Sequence, residues 1–267
     1  MQSFDNPAEL VSRLRDAGCV FAEQEAFLLI SGAGGEAALE EMVARRLAGQ
    51  PLEQVLGWAA FGGLRVGLRP GVFVPRQRTE FLAAQAVRLL AGRSTALVVE
   101  LCCGSGAVAM AVSAGVPGCR IYAVDVHPEA VACARANLPQ ATVLQGDLFP
   151  ALPGELAGRI DVVLANAPYV PTPALATLPR EARNYEPAVT LDGGRNGLDL
   201  LKRIISHAPQ WLAPGGKLLL ECSEGQAAAV GGLLVSAGLS PQILRNEETD
   251  ATVAVGSAPA GKSKGIG

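Results

Sequence analysis

Short apolar segments that alternate with helical segments constrain the fold of this chain more than any other feature. The apolar segments lie at residues 96–101, 120–124, 142–144, 160–165 and 217–221. Short runs of this kind are typical of strands covered on both faces, and their alternation with helices indicates parallel strands. We therefore predict an α/β fold with a doubly wound, mostly parallel sheet of seven strands.

Residues 1–60, ahead of the sheet, have the periodicity of helices. Their apolar residues recur at helical spacing, as with Leu10 and Leu14 in one segment and Phe27 and Ile30 in another. A stripe of this kind is the part of a helix that packs against its neighbours. We predict that this part of the chain is a small helical domain.

The chain beyond residue 60 divides into three parts. Residues 61–78 alternate around glycines and predict a hairpin that serves as a linker. Residues 79–256 contain the sheet, whose last two strands, at 241–245 and 251–255, should form a hairpin at one edge. Residues 257–267 are small and polar, so we expect a flexible tail.

Composition argues against several classes of function. Lys and Arg total 22 and Asp and Glu total 25, which gives a net charge of −3 at pH 7. Nucleic-acid binding draws on clustered cations and stacking platforms, and this chain has only 7 Phe, 3 Tyr and 2 Trp. The apolar runs are far shorter than the roughly 20 residues of a membrane span, and the first residues do not resemble a signal peptide. We expect a cytoplasmic protein that binds no membrane.

Cysteine and histidine usage points away from metal and acyl-transfer chemistry. The 6 cysteines contain no C-x-x-C pair, and the 2 histidines do not belong to a nucleophile motif. Free cysteines are mostly small buried residues. We therefore expect no bound metal.

A glycine loop after the first strand of the sheet predicts a nucleotide-like cofactor. The candidate cofactor-binding residues are Glu100, Cys102, Cys103, Gly104, Ser105 and Gly106, together with Asp125 and Val126 at the end of the next strand. Glycines let the backbone approach a ligand closely, and an acid at the second strand's tip accepts hydrogen bonds from ribose hydroxyls. The same pattern serves nicotinamide and S-adenosylmethionine alike, and a purely structural turn is the alternative.

Asp147 and Leu148 follow the third strand and are candidates for holding an adenine ring. The acid can bind the ring edge and the leucine can pack on the ring face. A single Asp at such a position is more often a turn residue or a helix cap.

Asn166, Ala167, Pro168 and Tyr169 follow the fourth strand, where open parallel sheets bind their ligands. The side-chain oxygen of Asn166 and the carbonyl of Ala167 are two acceptors for the hydrogens of a planar NH2 group. Tyr169 can stack on that group, and Pro168 favours extended backbone at Ala167. Because methyl displacement requires chiefly an aligned nitrogen, this tetrapeptide predicts N-methyl transfer, with an ordinary turn as the alternative.

These motifs resemble those of the HemK/PrmC family of protein-(glutamine-N5) methyltransferases. The similar segments are 46–52, 72–80, 100–106, 166–169 and 185–198. The resemblance implies a class I methyltransferase fold and S-adenosylmethionine as cofactor, with S-adenosylhomocysteine as product. It implies a protein substrate, such as the Gly-Gly-Gln motif of a translation release factor or a ribosomal protein, and a helical domain that helps to recognise it.

The resemblance also assigns residues. It implies cofactor contacts at 102–106, Asp125, Leu148 and Asn166 and an acceptor held by Asn166 to Tyr169, and it adds the candidate substrate-binding residues Phe73, Pro75, Arg76 and Thr79. Arg76 either contacts the substrate or pairs with an acid such as Glu80.

Three departures from the family pattern affect the active site. Ala167 replaces the first proline of Asn-Pro-Pro-Tyr, Cys102 replaces a glycine, and Gln77 and Arg78 stand where Pro and an acid are usual.

The alternatives to glutamine methylation are methylation of a small-molecule amine or of adenine N6, a nicotinamide-dependent oxidoreductase, and cofactor binding without catalysis.

Overall fold

A single seven-stranded sheet forms the centre of the molecule. The computed structural model describes residues 7–93 and 95–261. The strands among these residues are β1 (Trp58–Phe61), β2 (Leu64–Gly67), β3 (Leu97–Leu101), β4 (Arg120–Asp125), β5 (Thr142–Gln145), β6 (Ile160–Ala165), β7 (Leu212–Cys222), β8 (Ser240–Asn246) and β9 (Ala251–Ser257). The main sheet has the order β5-β4-β3-β6-β7-β9-β8, and β1 and β2 form a separate hairpin.

The strand directions confirm the predicted fold class. Strands β3 to β7 run parallel, and β9 is antiparallel to both β7 and β8. The β8–β9 hairpin lies at one edge, as the two final apolar segments predicted. All five parallel strands therefore end on the same side, and their carboxyl ends form one rim.

Helices cover both faces of the sheet. The helices are α1 (Pro7–Asp16), α2 (Ala22–Gly32), α3 (Glu36–Leu47), α4 (Leu52–Leu56), α5 (Glu80–Leu90), α6 (Ala107–Gly115), α7 (Pro128–Asn137), α8 (Arg180–Tyr185), α9 (Asp199–Trp211) and α10 (Ala227–Ser236). Helices α5, α6 and α7 share one core with alternate strand residues, and α9 and α10 share the other. Successive residues such as Val98 and Val99 belong to opposite cores, which is why the strands are apolar throughout. No helix of the described residues is long and apolar enough to cross a membrane.

The amino-terminal helices pack around their own apolar cluster. Leu10 and Leu14 are buried there, as their spacing predicted, but Phe27 and Ile30 are 69% and 39% exposed. Helix α2 instead packs through the face that contains Ala26. That face also contains Ala22 and Leu29, and Phe27 lies off it and faces solvent.

Two predicted boundaries were wrong. The hairpin spans Trp58–Gly67 and so begins before residue 61. The carboxyl-terminal tail was predicted to start at residue 257, but Ser257 is the last residue of β9 and pairs with Lys217. Ala258 N–H also donates to the Gly216 carbonyl at 2.9 Å, which continues the attachment to β7. Residues 262–267 of the predicted tail lie outside the described part of the chain.

Candidate active site

A cavity of about 810 Å³ opens at the carboxyl ends of the parallel strands. It brings together residues from the glycine loop, from the ends of β4, β5 and β6, and from the segment that precedes α5. The predicted site residues that line it are Phe73, Pro75, Arg76, Thr79, Glu100, Cys102, Cys103, Gly104, Ser105, Asp125, Val126, Asp147, Leu148, Asn166, Ala167, Pro168 and Tyr169. Gly106, also predicted to contact the cofactor, does not line it.

The glycine loop turns sharply between β3 and α6. Cys102, Gly104 and Gly106 have φ values of 55°, 54° and 77°, in the left-handed region that favours glycine. Cys102 adopts this conformation in spite of its side chain, which stores backbone strain at the cavity wall. A Cβ on Gly106 would lie 2.7 Å from Leu138 Cδ1, so this glycine allows the loop to pack against α7 and its neighbours.

Asp125 connects the glycine loop to the tip of β4. Its Oδ2 accepts a hydrogen bond from Gly104 N–H and its Oδ1 accepts one from His127 N–H, both at 2.9 Å. Each carboxylate oxygen can accept more than one hydrogen bond. The residue therefore keeps capacity for ribose hydroxyls while its position is fixed by the backbone, which fits the predicted cofactor.

Glu100 is a buried carboxyl at the base of the loop. Its Oε2 accepts a hydrogen bond from Ala109 N–H at 2.9 Å, in the first turns of α6. Burial raises the pKa of Glu100 to about 8; the Ala109 hydrogen bond offsets part of this, and the nearby Asp125 adds to it. Glu100 was predicted as a cofactor ligand, and its observed contact is with the helix that follows the loop.

Asp147 and Leu148 lie on the cavity wall near α9. Leu148 is buried with φ 58°, a strained conformation for leucine. Asp147 Oδ2 accepts a hydrogen bond from Arg203 Nη2 at 2.6 Å, so the acid is part of an exposed ion pair at the mouth of the cavity. Sequence reasoning missed Arg203, because no local pattern marks a residue of α9 as the partner of an acid 56 positions away.

The tetrapeptide after β6 is held from two directions. Asn166 Nδ2 donates to Thr79 Oγ1 at 3.1 Å, and the Tyr169 carbonyl accepts a hydrogen bond from Gln226 Nε2 at 2.9 Å. Within the described residues Asn166 Oδ1 has no hydrogen-bond partner, and Asn166 lines the cavity. The oxygen that was predicted to accept from an NH2 group is therefore available.

The hydroxyl of Tyr169 contacts a buried acid, Glu221, which was not among the residues predicted from the sequence. Tyr169 Oη donates to Glu221 Oε1 at 3.1 Å, and Arg78 Nε lies 3.5 Å from the same oxygen. Burial raises the pKa of the Tyr169 hydroxyl, and the negative charge of Glu221 raises it further. The only sequence signal for Glu221 was an acid at the end of a leucine run.

Arg76 pairs with an acid, but Glu80 is not its partner. Its Nη2 contacts both carboxylate oxygens of Glu186 at 2.7 Å, and its guanidinium lies 4.8 Å from the centre of the Phe73 ring. Burial raises the pKa of Glu186, and the positive charge of Arg76 offsets part of that rise. Arg76 thus joins the segment ahead of α5 to the loop between β6 and α9, and it packs on Phe73 within its own segment.

Comparison with known proteins identifies the family. A family model described as "Methyltransferase domain" matches residues 98–185. The chain is 37% identical to "Release factor glutamine methyltransferase" of Geobacter sulfurreducens over 76% of this chain and 71% of that protein. It is 34% identical to the protein of the same name from Streptomyces coelicolor over 84% and 85% of the two chains. It is also 37% identical to "4-amino-L-phenylalanine/4-methylamino-L-phenylalanine methyltransferase" of Streptomyces pristinaespiralis over 73% and 69%.

A solved structure shows the same fold at low identity. The ribosomal protein L11 methylase of Lactobacillus delbrueckii has a TM-score of 0.53 and 15% identity, and the match covers 73% of this chain and 86% of that one. The sheet order, the cavity at its carboxyl rim and the sequence relatives agree. The chain belongs to the HemK/PrmC family of S-adenosylmethionine-dependent protein-glutamine methyltransferases.

Proposed function

We propose that this enzyme methylates the side-chain amide nitrogen of a glutamine in a translation release factor. The observation that carries the proposal is the orientation of Asn166, whose NH2 group is bound to Thr79 and whose Oδ1 is left to the cavity. An acceptor that brings a planar NH2 group meets this oxygen, and the neighbouring Ala167 contributes a backbone carbonyl. The names of the relatives from Geobacter and Streptomyces coelicolor support the choice of substrate.

The residues of the site can align the nitrogen and limit the access of water. When bound, S-adenosylmethionine supplies an activated methyl group. Asn166 Oδ1 and the Ala167 carbonyl accept the two amide hydrogens, which directs the nitrogen lone pair out of conjugation with the carbonyl. The ring of Tyr169 covers one face of the amide. Asp125 and Leu148, which also line the cavity, would hold the cofactor, and the Asp147–Arg203 pair lines the same cavity.

The helical domain takes part in recognising the substrate protein in this proposal. Arg46 of α3 contacts Glu25 within that domain and Glu181 of α8, each at 2.6 Å. Tyr185 Oη also donates to the Ala48 carbonyl at 2.9 Å. These contacts connect the helical domain to the loop that follows Tyr169, so a protein bound by the helices can reach the acceptor site. The proposal places the enzyme in the cytoplasm, where release factors act.

The test is methyl transfer from labelled S-adenosylmethionine to a purified release factor. We expect one methyl group on the glutamine of its Gly-Gly-Gln motif, located by peptide mass spectrometry. A release factor with asparagine at that position is the matched control. Its side chain is one methylene shorter than that of glutamine, so its amide nitrogen does not reach the acceptor site. Incorporation into both proteins, or into neither, contradicts the proposal.

The relative that acts on 4-amino-L-phenylalanine provides a second arm of the same assay. The wild-type enzyme is incubated with this amino acid in place of the release factor. We expect no transfer to it, because the acceptor site is assigned to an amide on a protein. Transfer to the free amino acid but not to the release factor would show that the proposed substrate is wrong.

A further inference from the structure

Glu221 is a carboxyl in a place where the strand is otherwise apolar. It follows Leu218, Leu219 and Leu220 in β7, which are fully buried, and it is itself only 2% exposed. Placing a charged group in such surroundings is unfavourable unless it is paired and hydrogen-bonded. A leucine would suit the strand better, so the reason for an acid lies in what Glu221 contacts.

The contacts of Glu221 are all residues of the acceptor site. Its Oε1 accepts the hydrogen bond from Tyr169 Oη at 3.1 Å and lies 3.5 Å from Arg78 Nε. Thr79, the partner of Asn166 Nδ2, also interacts with the carboxyl. Glu221 therefore contacts three side chains that line the cavity, and it lies at the cavity wall itself.

The carboxyl is only partly satisfied by these contacts. Glu221 Oε2 is buried and has no hydrogen-bond partner within residues 7–93 and 95–261. Burial raises the pKa of Glu221, while Thr79, the charge of Arg78 and Tyr169 offset part of the rise. An incompletely paired buried carboxyl costs stability, and such costs concentrate at functional sites.

We propose that Glu221 is a positioning residue of the acceptor site: it holds Tyr169, Arg78 and Thr79 in place, and through Thr79 it fixes the orientation of the Asn166 amide. The inference rests on the proposed function for its assay. It also accounts for Arg78, the cation whose Nε lies 3.5 Å from Glu221 Oε1. A second acid beside Glu221 would repel it, whereas the guanidinium balances its charge and lies 6.0 Å from the centre of the Tyr169 ring.

The first experiment compares Glu221→Gln and Glu221→Leu with the wild-type enzyme in steady-state methyl transfer to the release factor. Glutamine keeps an oxygen for Tyr169 but loses the charge that pairs with Arg78, whereas leucine loses both. We expect kcat to fall by about tenfold for Glu221→Gln and by on the order of 10² for Glu221→Leu, since a displaced aligning group costs about that much. The Kd for S-adenosylmethionine should not change.

Stability separates a positioning role from a structural one. Because leucine suits the apolar strand, Glu221→Leu should keep or raise the Tm while losing activity. Glu224→Gln is the matched control for loss of a carboxylate, since Glu224 is exposed and pairs only with Arg245 among the described residues. Unchanged kcat in both Glu221 variants overturns the inference, and so does a loss of activity that tracks a lower Tm or weaker cofactor binding.

A pH profile supplies a second readout. Among the described residues, the titratable and charged groups that face Glu221 are Arg78, Tyr169 and Cys222. Cys222 follows Glu221 in β7. The pKa of Tyr169 is raised above its usual value, and that of Cys222 is raised to about 11, chiefly by burial. Both groups stay neutral at working pH. Wild-type kcat should therefore fall on the acid side as Glu221 is protonated, at a higher pH than for an ordinary glutamate. The kcat of Glu221→Gln should not show this fall.

One arm does not depend on the release factor. The Tm changes of Glu221→Leu and Tyr169→Phe should not add in the double variant, because each substitution removes the one hydrogen bond that the two side chains share. If the wild-type enzyme transfers no methyl group, the proposed function fails while this thermal comparison still tests the contact. Additive Tm changes contradict the positioning of Tyr169 by Glu221 whatever the acceptor proves to be.

Discussion

Asn166 donates from Nδ2 to Thr79 Oγ1 at 3.1 Å, and this contact decides which end of the Asn166 amide faces an acceptor. An asparagine side chain offers one acceptor oxygen and two N–H donors, and only the oxygen can take a hydrogen from an incoming NH2 group. Thr79 is 2% exposed and belongs to the 3-10 turn ahead of α5. The first residue of the predicted methyltransferase domain thus sets the amide orientation of a residue that follows β6.

Asn166→Ala should abolish most methyl transfer and leave cofactor affinity largely intact. The side chain aligns the acceptor nitrogen, so its loss lowers kcat by about 10² or more without touching the loop that holds the cofactor. Isothermal titration with S-adenosylmethionine and steady-state kinetics measure the two quantities separately.

Thr79→Val and Thr79→Ser form the matched pair for this prediction. Valine removes the hydroxyl that binds Asn166 Nδ2, and serine keeps it. We expect Thr79→Val to lose most of kcat and Thr79→Ser to retain it. Equal activity in the two variants would show that Thr79 does not orient Asn166.

The glycine loop allows a comparison of two glycines with similar backbone conformations. Gly104 and Gly106 have φ values of 54° and 77°, but a Cβ at Gly104 meets nothing within 4 Å, while at Gly106 it lies 2.7 Å from Leu138 Cδ1. Gly104→Ala should cost about 1–2 kcal/mol of stability for the left-handed backbone alone. Gly106→Ala should cost about 1–3 kcal/mol more, because the added methyl overpacks the interface with α7. Chemical denaturation measures both, and equal losses would contradict the packing role of Gly106.

The fold and most of the cavity lining follow from the sequence because each depends on a local pattern. Short apolar runs define strands, and parallel strands bring their carboxyl ends to one rim, so motifs after 101, 125 and 165 had to meet. The residues that contact those motifs could not be predicted from the sequence. Arg203 lies 56 positions from Asp147, and Glu186 lies 110 from Arg76, and no periodicity links residues so far apart. Phe27 was assigned to the helical core because periodicity alone does not reveal that α2 packs through the face that contains Ala26 and Leu29.

Glu100 predicts a pH dependence of stability. Its pKa is raised to about 8 in the folded protein, chiefly by burial, and an unfolded glutamate titrates near its model value of 4.5. The folded state therefore holds the proton more tightly, so the stability contributed by the neutral carboxyl is complete below pH 4.5 and is lost as the pH rises to about 8.

Glu100→Gln tests this dependence because its amide stays neutral throughout. Its Tm minus that of the wild type should increase from pH 5 to pH 9, a window chosen around the two pKa values. The same comparison with Glu224→Gln is the control for an exposed carboxylate. A difference that is constant across the window would mean that Glu100 is not held protonated by burial.

The Arg76–Glu186 pair should hold the loop between β6 and α9 against the segment ahead of α5. The carboxyl side chain of Glu186 is fully buried, whereas that of Arg76 is 35% exposed. Arg76→Leu leaves a buried carboxyl without its cation, and we expect a loss of about 1–3 kcal/mol, less than for a fully buried pair because solvent reaches the arginine. The KM for the release factor should rise as well, since Phe73 and the loop line the acceptor cavity.

Replacing both Arg76 and Glu186 distinguishes the effect of the unpaired buried carboxyl on stability from the effect of the lost contact on KM. Arg76→Leu combined with Glu186→Leu removes the unpaired carboxyl, so most of the lost stability should return. The raised KM should persist, because two leucines do not reproduce the directed contact between the segments. Denaturation and kinetics on the three variants measure this, and a double variant as unstable as Arg76→Leu would show that the cost lies in packing and not in the buried charge.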